Sequence, residues 1–157
     1  MKVLKFNGVK KKITIAVSGY FNPLHVGHLE MMEKAKKLGG CLIVIVNNDH
    51  QVKRKGSVPF MNQADRMKIV SAIKWVDRVF LSVDRDASVC KSLDRIKPDI
   101  FAKGGDRNVN NIPEVAVCRR RHIKIIDKGM GKKIRSSSAL IAQAALIKGQ
   151  KRKKRGV

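Results

Sequence analysis

Residues 13–46 read ITIAVSGYFNPLHVGHLEMMEKAKKLGGCLIVIV. Ile13 to Ser18 is a short apolar, β-branched run that breaks at Gly19, the pattern of a buried strand feeding a loop. After Pro23 the apolar residues Val26, Leu29, Met32, Ala35 and Leu38 recur near the helical period, predicting a helix over His25 to Leu38 that Gly39-Gly40 stop. Cys41 to Val46 is apolar on both alternations, which suits a parallel strand covered on both faces. Strand, tight loop, helix and strand therefore form one parallel unit.

The alternation continues outward from this unit. Asn47 to Pro59 is a polar loop. Asn62 to Lys74 is a helix with Ala64, Met67, Ile69, Val70 and Ile73 inward, and Arg78 to Val83 is a third strand. A helix over Ala87 to Ile96, a strand over Asp99 to Ala102, a short helix over Ile112 to Cys118 and a strand over Ile123 to Ile126 follow. A helix over Ser136 to Ile147, capped by serine hydroxyls, completes the series. Right-handed crossovers then give an α/β fold with a doubly wound, five-stranded parallel sheet, and ligands sit beyond the C-terminal ends of its strands. The loops after the first, second, fourth and fifth of these strands are the expected functional ones.

At 157 residues the chain has the size of one domain, read as 1–147, and the lysine-rich stretch 148–157 (KGQKRKKRGV) is expected to be a disordered basic tail because it has almost nothing to bury. No apolar run approaches the roughly 20 residues that cross a bilayer. Met1 to Lys12 is basic, but no apolar stretch of signal-peptide length follows it, so a cytoplasmic location is expected. Cys41, Cys90 and Cys118 are far apart and lack metal-ligand spacing, which reads as buried free thiols in a reducing compartment. With 35 Lys and Arg against 12 Asp and Glu, the net charge of +23 attracts polyanions without saying which. A nucleotide, nucleic acid, or a proteome biased towards lysine each accounts for it.

The loop Gly19-Tyr20-Phe21-Asn22-Pro23-Leu24-His25-Val26-Gly27-His28 is the most informative segment. It follows a buried strand and enters a helix whose free N–H groups and dipole attract anions. Residues three apart share a helical face, so both imidazoles can address one phosphate, although a histidine pair alone often only caps or packs. Gly27 between them carries no side chain to block close approach. Further on, Lys53 and Lys55 bring positive charge to the loop after the second strand, suited to a departing anion, and Lys103-Gly104-Gly105-Asp106 follow the fourth strand. There, two glycines let the backbone pass near a nucleoside and Asp106 can accept from a hydroxyl or amino group; a plain tight turn explains the glycines equally well. Ser136, Ser137 and Ser138 place three hydroxyls at the start of the last helix, where capping needs one.

From Ile13 to Ile147 the chain resembles the HxGH nucleotidyltransferases of the cytidylyltransferase-like group, above all the glycerol-3-phosphate cytidylyltransferases and the adenylyltransferase domain acting on heptose 1-phosphate. The resemblance implies a Rossmann-like fold and transfer of a nucleoside monophosphate from ATP or CTP to a phosphorylated polyol or sugar, with pyrophosphate released. It implies catalytic roles for His25, His28 and Lys55, with the histidines on the triphosphate. It further implies nucleotide contacts from Gly19, Tyr20, Phe21, Asn22, Gly27, Lys103, Gly104, Asp106 and Ser136 to Ser138, and acceptor contacts from Lys53 and Arg66. Arg66 lies in a Gln-Ala-Asp-Arg-Met stretch similar to the family's, and an ordinary helix-surface ion pair is its plain alternative. Asn22 stands where those two subfamilies have Asp, and Arg107 where an aromatic residue often follows Asp106. A homodimer is also what the resemblance implies.

No residue looks like a covalent nucleophile and none is required, because a phosphate acceptor is already ionised at neutral pH. Mg²⁺ would bridge phosphate oxygens while keeping several waters. The leading alternative is a basic nucleic-acid-binding protein on a nucleotide-binding fold, against which stands an aromatic content of 4%. A dinucleotide-dependent hydride transferase lacks its GxGxxG turn after the first strand. A synthetase charging tRNA would need further domains than this length holds.

Overall fold

The computed structural model describes residues 5–6, 9–104, 111–131 and 135–154. Five parallel strands form one sheet: β3 (Thr14–Gly19), β4 (Cys41–Val46), β5 (Arg78–Leu81), β6 (Ile100–Ala102) and β7 (Lys124–Ile126), in the order β5-β4-β3-β6-β7. The order reverses at β3, whose neighbours are β4 on one side and β6 on the other. A short antiparallel hairpin, β1 (Lys5–Phe6) with β2 (Val9–Lys10), precedes it. The helices are α1 (Val26–Lys37), α2 (Asp49–Arg54), α3 (Gln63–Ser71), α4 (Cys90–Ile96), α5 (Glu114–Arg120) and α6 (Ser137–Lys154). The doubly wound parallel sheet expected from the alternation is the observed architecture.

Alternation along the strands divides the core into two layers. Ile15, Val17, Leu42, Val44 and Val46 pack on one face with Met32 and Ala35 of α1 and Val70 of α3. Ala16, Ile45 and Phe101 pack on the other with Leu93 of α4 and Val117 and Cys118 of α5. Each fully buried aliphatic side chain contributes about 1.5–3 kcal/mol. The strand starts are fixed by carboxylates: Asp99 accepts from the Thr14 N–H at 2.8 Å, and Asp77 accepts from the Leu42 N–H at 2.7 Å and pairs with Lys36. Gly40 has to be glycine, because its φ of +95° is left-handed and a Cβ there would lie 1.7 Å from the Ile13 carbonyl oxygen.

Several expectations need correction. The stretch 47–59 is not only loop, since α2 forms within it under a capping box in which Asn48 accepts from the Gln51 N–H and Gln51 from the Asn48 N–H. On α3, Ala64 is exposed and Ile69 is 42% exposed, whereas Arg66 is buried. Of the cysteines, all free, only Cys118 is buried. The final helix runs on through Lys154, past Ile147 where its end was expected. Residues 141–150 are exposed, consistent with a segment that has little to bury. No helix among the described residues is long and apolar enough to cross a membrane.

Candidate active site

At the C-terminal end of β3, where the strand order reverses, the chain turns through residues 20–25 and enters α1. Phe21 takes a left-handed backbone (φ 51°), which tucks its ring under the loop; a Cβ on Gly19 would lie 2.7 Å from that ring. His25 is the N-cap of α1, in extended conformation, and its Nδ1 accepts the Gly27 N–H at 3.1 Å. In return the His25 N–H donates to Nδ1 of His28 at 3.2 Å. The two imidazoles thus build the capping box themselves, in place of the usual hydroxyl and carboxamide. Their rings stack with centroids 3.7 Å apart and planes 22° from parallel, and the edge of Phe21 supports His28 at 4.8 Å. A side chain at position 27 would press on His25, with a Cβ only 3.0 Å from its Cε1.

This arrangement fixes the protonation state. Each Nδ1 accepts a backbone N–H, so the proton of each neutral ring resides on Nε2, which is left as the ring's donor to a ligand. Burial, then the charges of His25 and Lys55, push the His28 pKa down to about 3; burial and Arg135 lower that of His25. Two stacked rings could not both be cations without repulsion. An unfolded histidine takes up its proton near pH 6.5, while folded His28 resists until about pH 3. Stability should therefore fall as pH drops through that window, since the unfolded chain then binds the extra proton. In an NMR titration of the free protein the His28 ring should show no inflection between pH 6 and 7, and an inflection there would contradict the assignment.

Around the rings lies a cleft of about 450 Å³. Ser18, Gly19 and Tyr20 come to it from β3 and its loop, His25, Gly27, His28 and Met31 from α1, and Asn47 and Lys55 from beyond β4. Lys103 and Gly104 follow β6, and Met130, Gly131, Arg135 and Ser136 to Ser138 follow β7. The loop after β3 and the start of α6 meet directly, because the Ser137 hydroxyl donates to the Pro23 carbonyl at 2.9 Å. Lys55, the C-cap of α2, holds its ammonium 4.5 Å from the centre of the Tyr20 ring. Anion-binding groups from the first loop, from α2 and from the start of α6 therefore face one space.

Other expected contacts lie elsewhere. Phe21 and Asn22 are 1% and 3% exposed and sit behind the cleft wall. Lys53 is exposed on α2 and is not among the cleft residues, and Asp106 lies outside the described residues. Arg66 does not fit a role on the acceptor. Its side chain is fully buried, and it donates to the carbonyls of Met61 (3.1 Å), Tyr20 (2.6 Å) and Asn47 (2.6 Å) and to Asp49 (2.7 Å). It pins the loops after β3 and β4 to α3 from below.

Residues that pattern alone missed also line the cleft. Arg135, just ahead of the serines, adds a cation beside His25, and its position in a basic run hid it. Ala87 and Val89 bring in the segment after β5, held by Gln51, whose side-chain amide donates to the Asp86 and Ser88 carbonyls at 2.8 Å. Glu114 is 2% exposed and accepts from the Val89 N–H (3.1 Å) and the Lys103 ammonium (3.3 Å). Nothing in the local sequence marks that carboxylate, because both partners are distant along the chain. Among the described residues no group of three or more His, Cys, Asp or Glu could hold a metal, and Glu114 is the one carboxylate lining the cleft.

A family model described as cytidylyltransferase-like matches residues 16–143. The FAD synthase of Pyrococcus horikoshii is 39% identical over 102 residues, which are 64% of this chain and 68% of that protein. The bifunctional protein HldE of Streptomyces coelicolor is 35% identical over 135 residues, covering 83% of this chain but only 28% of its own length. Among solved structures, a lipopolysaccharide core biosynthesis protein from Thermoplasma volcanium superposes with a TM-score of 0.63 at 28% identity, over 74% of this chain and 95% of that one.

Proposed function

From the premise that this chain belongs to the cytidylyltransferase-like family and is a nucleotidyltransferase, we propose that it moves AMP or CMP from ATP or CTP onto a phosphorylated small molecule. The observation that carries this reading is the meeting of the stacked imidazoles, Lys55, Arg135 and the serine-lined start of α6 in one cleft. An oxygen of the acceptor phosphate attacks the α-phosphorus; the new P–O bond forms as the bond to the bridging oxygen breaks, and that oxygen leaves with pyrophosphate. The Nε2–H groups of His25 and His28 donate to oxygens whose charge grows, and the cations of Lys55 and Arg135 stabilise the departing pyrophosphate. Gly104 also lines the cleft, where a Cβ would crowd Met31 Sδ at 3.0 Å. Because the positions are fixed before reaction, alignment contributes up to about 7–11 kcal/mol of the barrier reduction.

Mg²⁺ would fit this site as a passenger of the triphosphate, since no protein cage is present among the described residues and Glu114, the one carboxylate lining the cleft, is buried and paired with Lys103. When bound, it would supply charge neutralisation between phosphate oxygens. Polyol and sugar phosphates are candidate acceptors, and the likeness to FAD synthase adds flavin mononucleotide, since FAD is AMP joined to that phosphate. The nucleic-acid alternative gains no support from the family match.

The test is a matrix of ATP, CTP, GTP and UTP against flavin mononucleotide, glycerol 3-phosphate and a sugar 1-phosphate, read by pyrophosphate release. Release should require both a triphosphate and an acceptor, and should favour ATP or CTP. Release without an acceptor, or none in any combination, would overturn the proposal.

A further inference from the structure

The pleat of β4 and β6 carries one residue past their ends. The Asn47 N–H donates to the Gly19 carbonyl at 2.9 Å and the Lys103 N–H to the Ile126 carbonyl at 2.8 Å, so the ladder continues there. Asn47 therefore points to the same face as Ile45, Ser18 to that of Ala16, and Lys103 to that of Phe101. Ile45, Ala16 and Phe101 all belong to the layer that α4 and α5 cover. Since β4, β3 and β6 are neighbours, Asn47, Ser18 and Lys103 form a polar row across the middle of the sheet, and all three line the cleft. The histidines enter from α1, which covers the opposite layer, and the cations Lys55 and Arg135 lie beside them.

Two members of the row have no task within the protein. Asn47 is 3% exposed, and its backbone is engaged on both sides, by Gly19 and by Arg66, whose guanidinium donates to its carbonyl at 2.6 Å. Its side-chain amide and the Ser18 hydroxyl have no hydrogen-bond partner among the described residues. Neither is sealed in, because among those residues Asn22 Oδ1 is the one fully enclosed side-chain polar atom without a partner. The space they open on is the cleft, where a ligand's hydrogen bonds would offset the cost of an unpaired buried amide. Lys103 differs, since Glu114 holds its ammonium at 3.3 Å and balances its charge. Ala87 and Val89 wall the cleft on this face. The row thus offers hydrogen bonds without net charge, while the cations gather on the histidine side.

Building on the transferase reading, we infer that Ser18 and Asn47 are substrate-binding residues that engage hydroxyl groups on the uncharged body of the acceptor. In an in-line displacement the attacking oxygen comes in opposite the departing group. With pyrophosphate leaving towards Lys55 and Arg135, the acceptor enters over the row. Its phosphate meets the α-phosphorus, and the carbons behind that phosphate lie along Ser18 and Asn47. The amide donates to one hydroxyl oxygen and accepts from a second hydroxyl, and the serine does either.

Kinetics of Ser18→Ala and Asn47→Ala test this, with whichever of glycerol 3-phosphate, a sugar 1-phosphate and flavin mononucleotide the parent turns over best. Each is paired with a competitor lacking the hydroxyls nearest its phosphate: propyl phosphate, the 2-deoxysugar 1-phosphate, or a flavin phosphate on a plain alkyl chain. In each variant kcat/KM for the hydroxylated acceptor should fall about tenfold. The inhibition constant of the competitor and KM for the triphosphate should stay within about twofold of the parent, with far-UV circular dichroism unchanged. Unaltered acceptor kinetics in either variant, or an equal loss of affinity for the competitor, overturns the inference. A rise in KM for the triphosphate in place of the acceptor effect would put the ribose on the row and overturns it too. In those cases pyrophosphate is still released and the transferase reading stands; absence of release with any acceptor overturns both.

Discussion

The His28→Ala protein is expected to fold yet to lose roughly 10²–10³-fold in kcat/KM for pyrophosphate release. The loss follows from removing one oriented Nε2–H that the triphosphate would meet without reorganisation, on a ring held by Phe21, His25 and the His25 N–H. The same substitution deletes the reciprocal cap of α1, worth about 1 kcal/mol. His28→Asn separates the two effects, because its side-chain oxygen can still accept the His25 N–H while the phosphate donor is gone. Restored stability with activity still depressed is the expected pair of results, measured by thermal unfolding and by pyrophosphate release. Near-normal turnover in either variant would remove His28 from the mechanism.

Arg66→Met is expected to destabilise the protein by about 3–5 kcal/mol, the largest stability effect of any single change considered. Methionine conserves much of the buried volume but abandons the carbonyls of Met61, Tyr20 and Asn47 and leaves Asp49 without its cation. Lysine should rescue little, since a point charge cannot reach carbonyls on two loops and a carboxylate as the planar fork does. Denaturant unfolding gives the number; a loss below about 1 kcal/mol would mean that the guanidinium is not the clamp described.

Local pattern accounts for what was legible. β3 and β4 were plain because Ile15 to Val17 and Leu42 to Val46 are buried on both sides, so every residue in the run is apolar. α1 was plain from its period and from Gly39-Gly40. α2 was hidden because it buries only Gln51 and Val52, too little for a periodic signal, although the Asn48–Gln51 spacing was a usable capping cue. α6 passes its expected end, and the glycine on the way, Gly149, costs a helix only about 1 kcal/mol. The β1–β2 hairpin, with two residues per strand, lies below any periodicity window.

The site divides in the same way. The histidine loop and the serine cluster were visible as unusual local groupings, and tertiary structure brings them into a single cleft. Arg66 and Glu114 were not legible for what they are, because a buried charge is defined by its partners, and theirs arrive from other loops. Arg66 carried a motif likeness that pointed to substrate, yet the carbonyls around it use its donors for holding the loops. Conversely, the donor tautomer of the two imidazoles required the backbone geometry of α1 and could not be read from their spacing.

Nitrogen-15 NMR of the histidine rings and backbone amides, during titration with an ATP analogue carrying a methylene between the α- and β-phosphorus, tests the shared polyphosphate site most directly. The Nε2 signals of His25 and His28 and the amides of Ser137 and Ser138 should shift together, along one saturation curve. Movement of the serine amides while both ring nitrogens stay where they were would contradict the account.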